Sequence, residues 1–147
     1  MIHVTTTNAA FMLDAQLAAD THVVGDFALA RVLLMDDARF PWLILVPRRA
    51  GLRELIDLAR DEQHVLLDEI ARVATALREI SATDKLNIAA LGNVVAQLHV
   101  HIIARRRDDA AWPRPVWGVG TRKVYEAPER HALIARLRTA LQLPAPT

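Results

Sequence analysis

The feature that most constrains the fold of this chain is a strict alternation of polar and apolar residues near position 100. Gln97, His99 and His101 alternate with three aliphatic residues. Successive side chains of a β-strand point to opposite faces, so a period of two is typical of a strand. The pattern therefore predicts a strand over residues 96–104, with the three polar side chains next to one another on one face.

The rest of the sequence predicts an α+β domain built on an antiparallel sheet. Residues 42–46 (WLILV) form a continuous apolar run that ends at Pro47, which is typical of a central strand buried on both faces. Apolar residues recur every three or four positions over 61–80, which predicts a long amphipathic helix. Because strands flank this helix and do not alternate with helices, we expect an antiparallel sheet. Further strands are predicted over 21–29, 31–35 and 85–90, and an additional C-terminal helix over 128–142.

Length and composition bound the class of protein. A chain of 147 residues fits one domain, so we predict a single domain over 1–147 with its core over roughly 22–118. The 18 basic and 17 acidic side chains give a formal net charge of +1, which is too small to favour a nucleic-acid polymer as a partner. There is no cysteine, no apolar run near the roughly 20 residues of a membrane-spanning helix, and no secretory leader pattern. We therefore expect a cytoplasmic protein without a membrane partner.

Two imidazoles close together on a strand are consistent with two kinds of chemistry. They could ligate a metal, for which Asp36 or Asp37 would have to supply a third ligand. Alternatively, His99 or His101 could attack phosphorus while the other imidazole aids proton transfer. A single histidine on an apolar strand is more often a structural residue with satisfied hydrogen bonds. Two histidines at i and i+2 beside a glutamine favour a functional site over structural histidines, because buried polar groups need partners.

The same residues resemble the histidine-triad (HIT) superfamily of nucleotide hydrolases and transferases. Residues 97–105 (QLHVHIIAR), preceded by Gly92 and Asn93, are similar to its motif His-φ-His-φ-His-φ-φ, in which φ is apolar. Residues 43–49 (LILVPRR) resemble an earlier strand of the family that ends in proline and basic residues. The resemblance covers the predicted core and implies the HIT fold, a small nucleotide substrate, and neither a cofactor nor a metal.

The resemblance assigns roles to the three polar residues of the motif. His99 matches the central histidine, which attacks the α-phosphate and becomes transiently nucleotidylated. His101 matches the last histidine, which bonds the phosphate or the leaving group. Gln97 stands in place of the first histidine, where a main-chain carbonyl partly orients the nucleophile's ring. The implied reaction is hydrolysis or nucleotidyl transfer on a nucleoside phosphoramidate or a dinucleoside polyphosphate, through a covalent intermediate on His99.

Five residues outside the triad are predicted to bind substrate. Asp36 matches a family residue that holds a ribose hydroxyl, and Asn93 matches a polar residue that contacts phosphate. Arg105 alternates onto the face of the histidines, where it is a candidate phosphate ligand. Asn87 is a candidate for lining the pocket, with a strand-end polar residue as the simpler alternative. Trp112, which a proline follows, resembles a residue that approaches the partner subunit's site, and packing on its own domain is the alternative.

Two departures from the family pattern leave other functions open. Val94 stands where many members have a phosphate-binding Ser or Thr, and Trp42 stands where several have a further histidine. Trp117 is predicted to serve packing. One alternative is a nucleotide-binding module with little or no catalysis, and the other is a metal-dependent hydrolase that uses His99 and His101 as ligands.

We also expect a homodimer. The family typically pairs through its long helix and its sheet edge. Val65 and Leu67 add apolar groups outside the main stripe of the predicted long helix, and such surface favours a partner.

Overall fold

The computed structural model describes residues 10–145. In chain order its elements are α1 (Ala15–Asp20), β1 (Thr21–Asp26), β2 (Ala30–Met35), β3 (Trp42–Pro47), a 3-10 helix (Leu55–Asp57), α2 (Arg60–Ile80), β4 (Lys85–Ala89), β5 (Val100–Arg105) and α3 (Ala127–Leu141). Within this range the strands form one five-stranded antiparallel sheet in the order β1-β2-β3-β5-β4. The predicted α+β class, with a long helix and an additional C-terminal helix, is confirmed.

The centre of the sheet is formed by β3, which is buried along its whole length as its apolar run predicted. Its neighbour β5 is also buried throughout. Leu43 and Leu45 face the layer that contains α2 and α3, whereas Trp42 and Ile44 face the opposite side, where they belong to a second apolar cluster. Both faces of the sheet are therefore covered at these two strands. The face of Trp42 and Ile44, opposite α2 and α3, is the one that carries the histidines.

The long helix α2 forms where the periodicity predicted it. Asp61 and Glu62 lie in its first turn and Arg78 in its last, an arrangement that suits the helix dipole. Its buried apolar residues include Leu66, Val73 and Leu77. The C-terminal helix α3 buries Ile134, Leu137 and Leu141, and it joins α2 in covering one face of the sheet.

The predicted strand over 96–104 is wrong at its start, because the strand begins only at Val100. Pairing between β3 and β5 ends at this residue. Before it, the chain turns toward another segment, and the N–H of Leu98 donates to the carbonyl of Leu52 over 3.0 Å. Gln97 and His99 therefore both precede the strand, and the prediction that they lie in the same strand as His101 is wrong.

The predicted strand over 21–29 is too long as well. β1 ends at Asp26, and the chain then turns, with the N–H of Phe27 donating to the carbonyl of Ala30 over 2.9 Å. A shift in pairing between Val23 and Gly25 marks a bulge just before this end. Alternation of residue types did not reveal the turn, because Phe27 and Leu29 are buried and therefore apolar.

Candidate active site

The register of β3 and β5 places Trp42 and His101 next to each other. His101 pairs with Ile44, and Trp42 pairs with Ile103, so Trp42 and His101 are diagonal neighbours on one face of the sheet. We call this the histidine face. The indole Nε1–H of Trp42 donates to Nδ1 of His101 over 3.0 Å, and both residues are only 5% exposed.

His99 lies against His101, with the two ring centroids 4.9 Å apart. Its Nδ1 is 2.6 Å from the main-chain carbonyl oxygen of Gln97. A carbonyl oxygen can only accept, so Nδ1 is the donor and carries the hydrogen. In the neutral ring the lone pair of His99 is therefore on Nε2, which no group within residues 10–145 contacts by a hydrogen bond.

His101 is held in its uncharged form. Burial lowers the pKa of His101 to about 3, and the electrostatic effect of the neighbouring His99 imidazole acts in the same direction. At neutral pH the ring therefore carries no charge. The pair of imidazoles can accommodate a reaction in which His99 attacks and His101 forms hydrogen bonds.

Trp117 is a residue of the site whose contact with His101 the sequence analysis missed. Its ring meets His101 edge-on at 5.0 Å between centroids, and it meets Trp42 edge-on at 5.9 Å. It lies in a loop from which Ala111 and Val116 also pack onto the histidine face. A tryptophan in an irregular loop has no periodic pattern, so only the tertiary structure reveals the contact.

Gln97 is not part of a strand, contrary to the prediction, and its side chain makes two hydrogen bonds to an earlier segment of the chain. Its Oε1 accepts from the N–H of Asp14, and its Nε2 donates to the carbonyl of Met12, each over 2.8 Å. The amide thus ties down the segment that leads into α1. Gln97 contacts His99 through its main-chain carbonyl, the group that the family resemblance implied.

A model of the HIT domain matches residues 16–108. The chain belongs to the HIT family. Among solved structures it is similar to a histidine triad protein from Bradyrhizobium japonicum, at 53% identity and a TM-score of 0.88 over 90% of this chain and 99% of that chain. It is also similar to one from Marinobacter aquaeolei VT8, at 44% identity and a TM-score of 0.89 over 92% of this chain and 100% of that chain. A third, from Sinorhizobium meliloti 1021, has 43% identity and a TM-score of 0.86 over 88% of this chain and 96% of that chain. A comparison with curated proteins gave no match.

Three of the residues predicted to bind substrate in this HIT protein form a separate cluster at the other end of β5. Arg105 does lie on the histidine face, but it is 1% exposed and makes two hydrogen bonds to Asp109, of 2.7 and 3.0 Å. Its third bond, of 2.9 Å, goes to Oδ1 of Asn87. The ring of Trp112 lies 5.6 Å from the guanidinium. Asn87 therefore accepts from Arg105, and Trp112 lies against the guanidinium of its own chain. The approach of Trp112 to a partner subunit's site stays a prediction.

The electrostatics of this cluster fit a structural ion pair. Burial acts to raise the pKa of Asp109, but the Arg105 guanidinium and three backbone N–H groups outweigh it and lower the pKa to about 2. Asp109 is therefore ionised at neutral pH, and its carboxylate compensates the charge of Arg105. Nε, Nη1 and Nη2 of the guanidinium each donate one hydrogen bond within this cluster, which favours a structural role over the predicted role as a phosphate ligand.

Asp36 and Asn93, the other two residues that the HIT resemblance implied, are not in hydrogen-bond contact with the histidines. The carboxylate of Asp36 accepts from the N–H of Tyr125 over 3.0 Å and lies 3.4 Å from Nε2 of His22. His22 pairs with Leu34, which packs on the side of α2 and α3, so Asp36 turns toward the face opposite the histidines. Asn93 is exposed in the irregular segment before β5.

The carboxylates that the metal interpretation needed are engaged elsewhere. Asp37 is 3% exposed and bonds to Arg39 over 2.8 Å. In the part of the chain that the structure describes, no group of three or more His, Cys, Asp or Glu side chains could hold a metal ion. Among residues 10–145, no helix has the length and apolar character that crossing a lipid bilayer requires.

Proposed function

We propose that this HIT protein cleaves a nucleotide at its α-phosphate through a covalent nucleotidyl intermediate on His99. Its substrates would be dinucleoside polyphosphates, nucleoside phosphoramidates or related conjugates. The observation that carries the proposal is the 2.6 Å hydrogen bond from His99 Nδ1 to the carbonyl of Gln97. This bond fixes the ring and leaves the lone pair on Nε2, the atom that has to attack phosphorus.

The reaction then proceeds in two displacements. The lone pair on His99 Nε2 forms a bond to the α-phosphorus, and the bond to the leaving group breaks, with its electrons going to that group. The positive charge on the ring is stabilised by the hydrogen bond from Nδ1–H to the carbonyl of Gln97. A water oxygen next attacks the phosphorus, the P–N bond breaks, and its electrons return to Nε2. The proton that water releases goes to the leaving group or to solvent.

His101 supports the same step by contacting the phosphate. Its ring is 4.9 Å from that of His99, close enough for both rings to touch one phosphate group. The site is buried, and a hydrogen bond is electrostatically stronger there than in water. A donor at this position is therefore suited to the charge that develops on the phosphate oxygens during attack.

Turnover measurements test the proposal against its two alternatives. The purified protein is incubated with a dinucleoside polyphosphate and with a nucleoside phosphoramidate, with and without a chelator. We expect turnover that the chelator leaves unchanged and that His99→Ala abolishes, while that variant still binds a nucleoside monophosphate. His64→Ala, at an exposed position on α2, is the matched control and should retain the native rate.

The other outcomes identify the alternatives. Tight binding of a nucleoside monophosphate by the native protein without turnover of any substrate would favour a nucleotide-binding module. Loss of turnover on chelation would favour a metal-dependent hydrolase, with His99 and His101 as ligands.

We further propose that the protein forms a homodimer. Leu67 is 64% exposed and Val65 39% exposed on α2, while Ile88 is 49% exposed on the edge strand β4. Exposed apolar side chains of this size favour association, and an edge strand offers unpaired backbone groups.

A further inference from the structure

Trp42 makes a contact that restricts the chemistry of His101. An indole Nε1–H can only donate a hydrogen bond, whereas an imidazole nitrogen either donates or accepts, depending on where its proton is. The 3.0 Å bond from Trp42 Nε1 to His101 Nδ1 therefore requires a lone pair on Nδ1. In the neutral ring the hydrogen must then be on Nε2.

The surroundings of His101 reinforce this tautomer. A protonated ring would set two N–H hydrogens against each other between Trp42 Nε1 and His101 Nδ1, and this would cost the hydrogen bond. Trp42 and Trp117 enclose the imidazole, with centroids 5.6 and 5.0 Å from it. His101 is 5% exposed, so little water is available to compensate a rotated or charged ring. Its lowered pKa, about 3, agrees with this geometry.

His99 is held in the opposite tautomer by the carbonyl of Gln97. Its Nε2 bears a lone pair, whereas Nε2 of His101 bears a hydrogen. Two fixed neutral groups, an indole and a carbonyl, thus set the two adjacent rings in complementary states. One ring is ready to attack phosphorus, and the other is ready to donate a hydrogen bond.

We propose that Trp42 is a positioning residue that holds His101 as the neutral Nε2–H tautomer, a fixed hydrogen-bond donor to the phosphate of the substrate. This role rests on the proposed function, since a donor beside His99 matters only if a phosphate is attacked there. A neutral imidazole does not readily release its remaining proton, so His101 stabilises charge and does not protonate the leaving group. The favoured substrates are therefore phosphoanhydrides, whose leaving group departs as a stable anion, over phosphoramidates, whose amine needs a proton.

The tautomer can be read directly by NMR, without substrate. In ¹⁵N-labelled protein, two-bond ¹H–¹⁵N correlation spectra show which imidazole nitrogen carries the hydrogen. We expect an unprotonated Nδ1 and a protonated Nε2 for His101 in the native protein at neutral pH. A hydrogen on Nδ1 of His101 would overturn the proposal, and this result does not depend on any variant being stable.

Three variants separate the hydrogen bond from the packing around His101. Trp42→Phe keeps an aromatic ring but removes the N–H, so we expect the two tautomers of His101 to mix. Trp117→Phe alters the other indole in contact with His101, which makes no hydrogen bond to it, and we expect the tautomer to be retained. Trp42→His restores a ring N–H and should restore the Nε2–H tautomer. A single unchanged tautomer in Trp42→Phe would contradict the role of the indole.

Kinetics test the consequence for catalysis. For a dinucleoside polyphosphate, Trp42→Phe should lower kcat roughly tenfold with little change in KM, because the lost interaction matters mainly in the transition state. Trp42→His should recover most of this loss. An equal loss in both variants, or faster cleavage by the native protein of a phosphoramidate than of an anhydride with the same nucleoside, would overturn the proposal. If the native tautomer is as expected but no nucleotidyl-His99 forms, the proposed function fails while the state of His101 stands.

Discussion

Replacement of Arg105 by alanine should destabilise the fold without specifically weakening nucleotide binding. The substitution leaves Asp109, whose side chain is 7% exposed, without its buried partner. Removing one member of a buried ion pair costs about 3–5 kcal/mol. The pKa of Asp109, about 2 against an ordinary 3.8, corresponds to roughly 2 kcal/mol at about 1.4 kcal/mol per pH unit, but this net value combines burial, Arg105 and three backbone N–H groups. The expected loss on removing Arg105 is therefore about 3–5 kcal/mol, a large part of a typical stability of about 5–15 kcal/mol.

Urea unfolding followed by circular dichroism measures this loss. Arg106→Ala is the matched control, because Arg106 pairs with Asp108 at the surface, where the two side chains are 51% and 70% exposed. We expect that variant to stay within about 1 kcal/mol of the native protein. The reasoning is refuted if Arg105→Ala unfolds like the native protein while its KM for the nucleotide rises, since Arg105 would then bind phosphate as the sequence predicted.

The stabilisation that this ion pair gives the folded protein should decrease in acid. The folded pKa of Asp109 lies below its unfolded value, so the carboxylate's contribution is complete above about pH 4 and is lost as the pH falls through about 2. Arg105→Ala should lack most of this loss. Unfolding free energies measured between pH 5 and pH 2 would show the native and variant curves converging toward low pH, and parallel curves would argue against the pair.

The remaining predictions concern Gln97, His101 and the dimer. Gln97→Ala removes two hydrogen bonds to the segment before α1, so urea unfolding should show a loss of about 1–2 kcal/mol. Its kcat should change little because the carbonyl remains, and a collapse of kcat would assign the side chain a direct role. Because the folded pKa of His101, about 3, lies below the ordinary 6.5, thermal melts should show stability falling as the pH drops from 6.5 toward 3. His101→Asn should reduce this slope, and an unchanged slope would contradict the neutral ring. Light scattering should give twice the mass of one chain, with Leu67→Glu shifted to monomer, and a native monomer at micromolar concentration would refute the dimer.

The elements of the fold that have a regular period could be predicted from the sequence. The apolar run at 42–46 predicted the central strand, and the apolar stripe over 61–80 predicted α2, because each pattern reflects burial along a regular backbone. The start of β5 could not be predicted in this way. Leu98 is apolar because it is buried, but it is buried in an irregular segment that bonds to Leu52, and alternation alone does not distinguish the two cases.

The site was predicted in part, and the reasons differ by residue. His99 and His101 were found because their spacing is local, and they do lie in ring contact. The partners of Gln97 lie more than 80 residues earlier in the chain, so no local pattern could reveal that its side chain bonds to the segment before α1. For Arg105 the structure agrees with the predicted face and adds a buried partner, Asp109, which only the folded chain brings into place. The role of Arg105 as a phosphate ligand stays a prediction.

The most direct test of the central claim is to detect the covalent intermediate on His99. The native protein is mixed with a dinucleoside polyphosphate and rapidly denatured without acid, because acid hydrolyses a P–N bond to imidazole. Intact-mass spectrometry is then followed by peptide mapping. We predict a transient adduct of one nucleoside monophosphate unit, located on His99 and absent from His99→Ala. Turnover of the substrate without any such adduct in single-turnover samples, or an adduct of the same mass that persists in His99→Ala, would contradict the account.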